Sequence, residues 1–123
     1  MSESTSVNPA NYVEIGTPDP EAARRFYGSV FGWEFGAADG DYAPVNGNAG
    51  GLWNTADIGA EAWAVFYIEV TDIRAIVDAA VQAGAEVVRP IIDTGVIRFA
   101  HLSDPSGSRF GVWQRVETMP SDA

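Results

Sequence analysis

Apolar and polar residues alternate through Asn11-Tyr-Val-Glu-Ile-Gly16, which predicts a half-buried strand. The alternation stops at Thr17-Pro-Asp-Pro20. Asp19 is placed there to cap a helix, and Pro20 takes the first helical position, where a missing N–H costs nothing. Ala23, Phe26, Tyr27, Val30 and Phe31 then recur at helical spacing and draw one apolar stripe, expected to face the core. Gly32 is a natural left-handed cap, and a new extended run, Trp33-Glu-Phe35, follows at once.

The second half repeats this grammar. Trp63 to Val70 reads as a strand, Thr71 as the helix cap with Asp72 in the first turn, and Ile73, Ile76, Val77, Ala80 and Val81 as the helix stripe. Gly84 closes that helix and Ala85-Glu-Val-Val88 opens the next strand. The segments Phe31-Gly-Trp-Glu-Phe35 and Ala83-Gly-Ala-Glu-Val87 share the order apolar, Gly, any residue, Glu, apolar. Further strands are expected at Tyr42–Val45 and Gly51–Asn54 in the first half. In the second they fall at Ile97–Leu102 and Arg109–Val116, separated by the tight turn Asp104-Pro-Ser-Gly107. The pattern therefore predicts an α+β fold of two βαβββ repeats with about eight strands. One domain is expected over residues 10–117, with halves at 10–58 and 59–117 and flexible ends at 1–9 and 118–123.

Composition narrows the possibilities. The chain has 123 residues, 46% of them hydrophobic, which suits one core. Its formal net charge is -10 with only 7 Lys and Arg, so neither nucleic acid nor an anionic membrane is expected as a partner. Cysteine is absent, which removes disulfides, thiolate nucleophiles and cysteine-bound metals. No basic leader precedes an apolar run and no stretch is long enough for a membrane span, so a cytoplasmic protein is expected. Asn46-Gly-Asn-Ala-Gly-Gly51 lacks both the spacing and the lysine of a phosphate loop.

The duplicated unit resembles the glyoxalase, bleomycin-resistance and extradiol-dioxygenase (vicinal oxygen chelate) superfamily. Thr17-Pro-Asp-Pro-Glu-Ala-Ala-Arg-Arg-Phe-Tyr-Gly-Ser-Val-Phe-Gly-Trp33 is similar to its first strand-to-helix passage, and Asp104-Pro-Ser-Gly-Ser-Arg-Phe-Gly-Val-Trp-Gln114 to its last hairpin. The resemblance covers roughly residues 10 to 116. It implies a curved mixed sheet around a central cup that holds a small molecule, and often a homodimer. It also implies a divalent metal held by His and Glu from both halves. Here the matching positions are Ala10 or Tyr12, Gly51 or Trp53, Val65 or Trp63, and Gly111, none of which ligates a metal.

Glu14, Glu69 and His101 are the candidate catalytic residues that remain. By strand alternation Glu14 faces with Tyr12, and Glu69 with Tyr67 and Val65, so the resemblance aims both carboxylates into the cup. A carboxylate pair can raise one pKa and supply an acid or base; alternatively both sit at strand ends, solvated or paired with Arg98 or Arg115. His101, the sole histidine, reads as a general base or as a hydrogen-bonded packing residue. Tyr12, Trp53, Tyr67 and Trp113 are the expected ligand-binding rings, and Trp33 is expected to be structural. Small residues at Gly51 and Gly111 leave space that a ligand or neighbouring rings would fill. The expected function is a small-molecule-binding protein without the usual metal site, taking an apolar or aromatic organic ligand and needing no cofactor. The alternatives are a divalent-metal-dependent lyase, isomerase or dioxygenase, a cofactor-free acid–base enzyme using Glu14, Glu69 and His101, and a protein-interaction module.

Overall fold

A computed structural model of the chain describes residues 8–59 and 62–116. Of the ends expected to be flexible, residues 1–7 of 1–9 and all of 118–123 lie outside the described residues. Nine main elements follow one another: β1 (Ala10–Thr17), α1 (Pro20–Phe31), β2 (Tyr42–Val45), β3 (Gly50–Asn54), β4 (Trp63–Glu69), α2 (Ile73–Gln82), β5 (Glu86–Asp93), β6 (Ile97–Ser103) and β7 (Arg109–Arg115). The fold is α+β, with two helices and a mixed sheet of seven strands in the order β2-β3-β1-β4-β7-β6-β5. The residues divide into two compact units, one of Asn11–Phe66 and one built from Tyr67 onward together with the segment up to Ala10.

In the first unit, β1 runs parallel to β3 and β3 antiparallel to β2. Asp19 caps α1 by accepting the Ala22 N–H, Pro20 opens the helix, and Gly32 ends it at φ 72°. Ile15, Val45 and Leu52 form the buried cluster, with Ala23, Tyr27, Trp33 and Phe35 packed on it. Trp33 is structural, stacked on Tyr27 at 4.9 Å. The rest of the α1 stripe departs from expectation, since Phe26, Val30 and Phe31 are 53%, 56% and 60% exposed. The cluster beneath the helix is narrow, and Ala23 and Tyr27 already cover it.

The predicted strand at Trp33–Phe35 is reduced to one bridge between Phe35 and Val45. Its two hydrogen bonds are Asn46 N–H to Glu34 O and Gly36 N–H to Pro44 O. Extension fails on both sides for chemical reasons. Pro44 has no N–H to return to Gly36, and the Glu34 N–H is taken by the Asn46 side chain at 2.8 Å. Seven strands result, in place of about eight.

In the second unit, β4 pairs parallel with β7, and β6 lies antiparallel between β7 and β5. Val70, Ile73, Ala100, Leu102 and Val112 make the buried core, covered by Ile76, Val77 and Ala80 of α2. The cap of α2 is Asp72, which accepts the Ala75 N–H, and not Thr71 as expected. The charged Asp72 carboxylate accepts three residues on, from Ala75, and Gln114 Oε1 accepts the Ile73 N–H.

Candidate functional site

Strand register defines one side chain-bearing face in each unit, opposite its helix. In the first unit Glu14 pairs with Gly51 and Gly16 with Trp53, while on the other side of β3 Pro44 pairs with Gly51 and Tyr42 with Trp53. In the second, Tyr67 pairs with Gly111 and Glu69 with Trp113, while His101 pairs with Gly111 and Phe99 with Trp113. The two sets superpose residue for residue. Gly51 corresponds to Gly111 and Trp53 to Trp113, so Glu14 corresponds to Tyr67 and Gly16 to Glu69. Glu14 and Glu69, the two carboxylates considered as a pair, therefore stand at positions two residues apart on equivalent strands.

The two carboxylates have different surroundings. Glu14 is 3% exposed in mid-strand, not solvated at a strand end. Its Oε2 accepts the Trp63 indole N–H at 2.9 Å and its Oε1 accepts the Tyr42 hydroxyl at 3.5 Å. The Tyr42 hydroxyl is also 2.8 Å from that of Tyr12. Glu69 is ion-paired with Arg115 at 3.1 Å, and the Arg115 guanidinium lies 4.8 Å from the centre of the Trp113 ring. Arg98 is engaged by Asp93 at 2.9 Å. Glu69 is therefore the paired surface carboxylate that the sequence allowed, and Glu14 is the buried one.

His101 is fully buried, and its Nε2 shares a 2.5 Å hydrogen bond with the Tyr67 hydroxyl. Phe99 and Tyr67 meet edge to face at 6.3 Å. A Cβ built on Gly111 would overlap the Tyr67 ring, and one on Gly51 would overlap the ring and hydroxyl of Tyr42. The space left by both glycines is thus occupied by rings from the next strand, Tyr67 directly opposite Gly111 and Tyr42 diagonal to Gly51, the second of the two outcomes the sequence left open. On β1, Gly16 is covered in the same way by the Trp63 indole. Trp53 meets Trp63 edge to face at 5.4 Å. Of the predicted rings, Tyr67 is buried, whereas Tyr12, Trp53 and Trp113 are partly exposed. Tyr42 and Trp63, which hold Glu14, were not among the predicted site residues. The signal that pointed to Trp63 is its place at the start of a strand equivalent to β1.

Burial pushes the Tyr12 phenol above its ordinary pKa; the hydrogen bond from Tyr42 opposes this and the charge of Glu14 adds to it. The folded state therefore favours the neutral phenol. That contribution is intact below the unfolded tyrosine value of about 10 and is lost as pH rises through the raised folded value. The Tm should accordingly fall between pH 9 and 12 more steeply in the natural chain than in Tyr12→Phe. Parallel melting curves for the two proteins across that range would remove Tyr12 as the cause.

With this geometry in place, the comparisons with known proteins fall into line. The fold is that of the vicinal-oxygen-chelate class. The Mn(II)-bound glyoxalase of Novosphingobium aromaticivorans matches with a TM-score of 0.60 at 20% identity, over 93% of this chain and 43% of that one. The methylmalonyl-CoA epimerase of Mycobacterium tuberculosis matches with a TM-score of 0.56 at 16% identity, over 95% and 94%. The sequence model of the Glyoxalase-like domain matches residues 12–113, and the chain belongs to that family. CFP32 of Mycobacterium bovis, which carries a provisional glyoxylase name, is 34% identical over 122 aligned positions. They cover 85% of this chain and 44% of CFP32, so the chain spans less than half that relative's length.

The residues of this chain do not fit the metal that the fold family implies. None of the residues that the resemblance matches to metal ligands is an imidazole or carboxylate, and tyrosine rings overlie the two glycines among them, Gly51 and Gly111. Among the described residues, no three His, Asp or Glu side chains gather into a cation site. Nor is any described helix long and apolar enough to cross a membrane.

Proposed function

We propose that this chain is a small-molecule-binding domain that holds an apolar or aromatic organic compound against its strand-face rings, without a His/Glu metal centre. One observation carries the reading. In each repeat a glycine among the positions that the resemblance matches to metal ligands is covered by a tyrosine, and two residues on stands a partly exposed tryptophan, Trp53 or Trp113. The two indoles offer stacking surface, the chemistry of an apolar ligand site.

Calorimetric titration of metal-stripped chain with Zn, Ni, Mn and Fe(II) is expected to give no binding tighter than about 100 μM, or about 5.5 kcal/mol. Stoichiometric tight binding that disappears in His101→Ala would overturn the reading. A screen of aromatic compounds should then yield ligands that weaken on Trp53→Ala or Trp113→Ala.

A homodimer goes with this reading, its support being the exposed Val30 and Phe31 of α1. So does residence in the cytoplasm, supported by the absence of cysteine. A second reading, acid–base catalysis by Glu14, has the burial of that carboxylate in its favour. Glu14→Gln would abolish turnover and spare ligand binding if it held.

A further inference from the structure

A separate cleft lies in the first unit, where the end of β1, the first half of α1 and the start of β4 converge. Its volume is about 480 Å³, a size that accommodates a small organic molecule. Phe26, Tyr27 and Trp63 supply rings to its lining, and Gly16, Ala22, Ala23 and Ala64 supply almost no side chain. None of the four rings expected from the sequence to bind ligand lines it. Asp19 is the one charged side chain among the described lining residues, with the Thr17 hydroxyl beside it. Asp19 is held in place, because its Oδ1 accepts the Ala22 N–H and its own N–H donates to Thr17 Oγ1.

We propose that this cleft is a second small-molecule site, for a flat aromatic compound that carries an ammonium group. Phe26, Tyr27 and Trp63 beside the small side chains of Ala22, Ala23 and Ala64 favour a flat apolar partner. The Asp19 carboxylate favours a cation, as do ring faces that attract ammonium groups. A formal net charge of -10 draws cations to the molecule and repels anions. No arginine lines the cleft among the described residues, although Arg24 and Arg25 belong to the same helix. Trp63 ties this site to the other face, since its ring lines the cleft while its N–H holds Glu14. The site itself does not depend on the function proposed above.

Tryptamine and indole-3-acetate, titrated calorimetrically into the full chain at neutral pH, test the assignment. Tryptamine should bind, and indole-3-acetate should bind about tenfold more weakly or not at all. Ala64→Phe and Ala22→Phe each fill the cleft and should weaken tryptamine about tenfold. Asp19→Asn keeps the helix cap but removes the charge, and should bring the two probes together. Trp113→Ala, outside the cleft lining, should leave tryptamine unaffected. No tryptamine binding to the natural chain, or binding indifferent to both filling variants, would overturn the proposal. So would loss in Trp113→Ala with retention in Ala64→Phe, which would transfer the ligand to the strand face and support the first site instead.

Discussion

Gly111→Ala should destabilise the chain by about 2–3 kcal/mol, although alanine is ordinarily no worse than glycine in a strand. The new Cβ would fall within the Tyr67 ring, which is buried and cannot swing into solvent. Relief would require moving that ring, and with it the 2.5 Å hydrogen bond to His101. The strain belongs to one pair of residues, so a double-mutant cycle isolates it. In a Tyr67→Val background the cost of Gly111→Ala should shrink towards zero. Gly51→Ala meets the hydroxyl end of Tyr42, the far end of a half-buried side chain, and should cost less than the clash with the buried Tyr67 ring. Urea denaturation of the set provides the measurement. Equal costs for Gly111→Ala with and without the ring would mean that the glycine serves backbone conformation, not the ring.

The same glycines mark the limit of what the sequence discloses. Alternation along β1, β4 and β7 correctly assigned Glu14 to the face of Tyr12, Glu69 to that of Tyr67, and Trp113 to that of Gly111. It did not fix Glu69 relative to Glu14, because a slip of two residues leaves every side chain on its original face and alternation cannot detect it. A stronger internal repeat, Gly51-Leu-Trp-Asn54 against Gly111-Val-Trp-Gln114, fixes the register and aligns Glu14 with Tyr67. Helix ends were legible where a cap has no substitute, as at Asp19-Pro20 and Gly32. They were ambiguous where Thr71 and Asp72, both good capping residues, stand side by side. Periodicity gave the apolar stripe of α1 but not its cover, since the angular position of a residue says nothing about how wide the opposing core is. Whether a glycine leaves a void or lies beneath a ring depends on the rotamer of a cross-strand neighbour, which pairing patterns do not encode.

Trp63→Phe should cost about 1.5–3 kcal/mol, with most of the loss coming from a single N–H. Glu14 is a carboxylate withdrawn from water, and such a group is tolerated only when donors replace its hydration. Of its two described hydrogen bonds, the 2.9 Å bond from Trp63 is the shorter; the Tyr42 hydroxyl stands at 3.5 Å and is shared with Tyr12. Phenylalanine keeps an aromatic ring but lacks the indole atoms nearest Gly16 as well as the donor, so lost packing and the carboxylate's lost partner have to be separated. Tyr42→Phe should cost less than Trp63→Phe, because its bond to Glu14 is the longer one. Repeating Trp63→Phe in a Glu14→Gln background should reduce its cost to about 1 kcal/mol, the worth of a neutral hydrogen bond. An unchanged cost there, measured by urea denaturation, would assign the effect to ring size instead. The prediction matters for both proposed sites, because one indole holds the buried carboxylate and lines the α1 cleft. A ligand that displaces this indole would expose Glu14 to the same penalty, so occupancy of the cleft and stability of the Glu14 network should vary together.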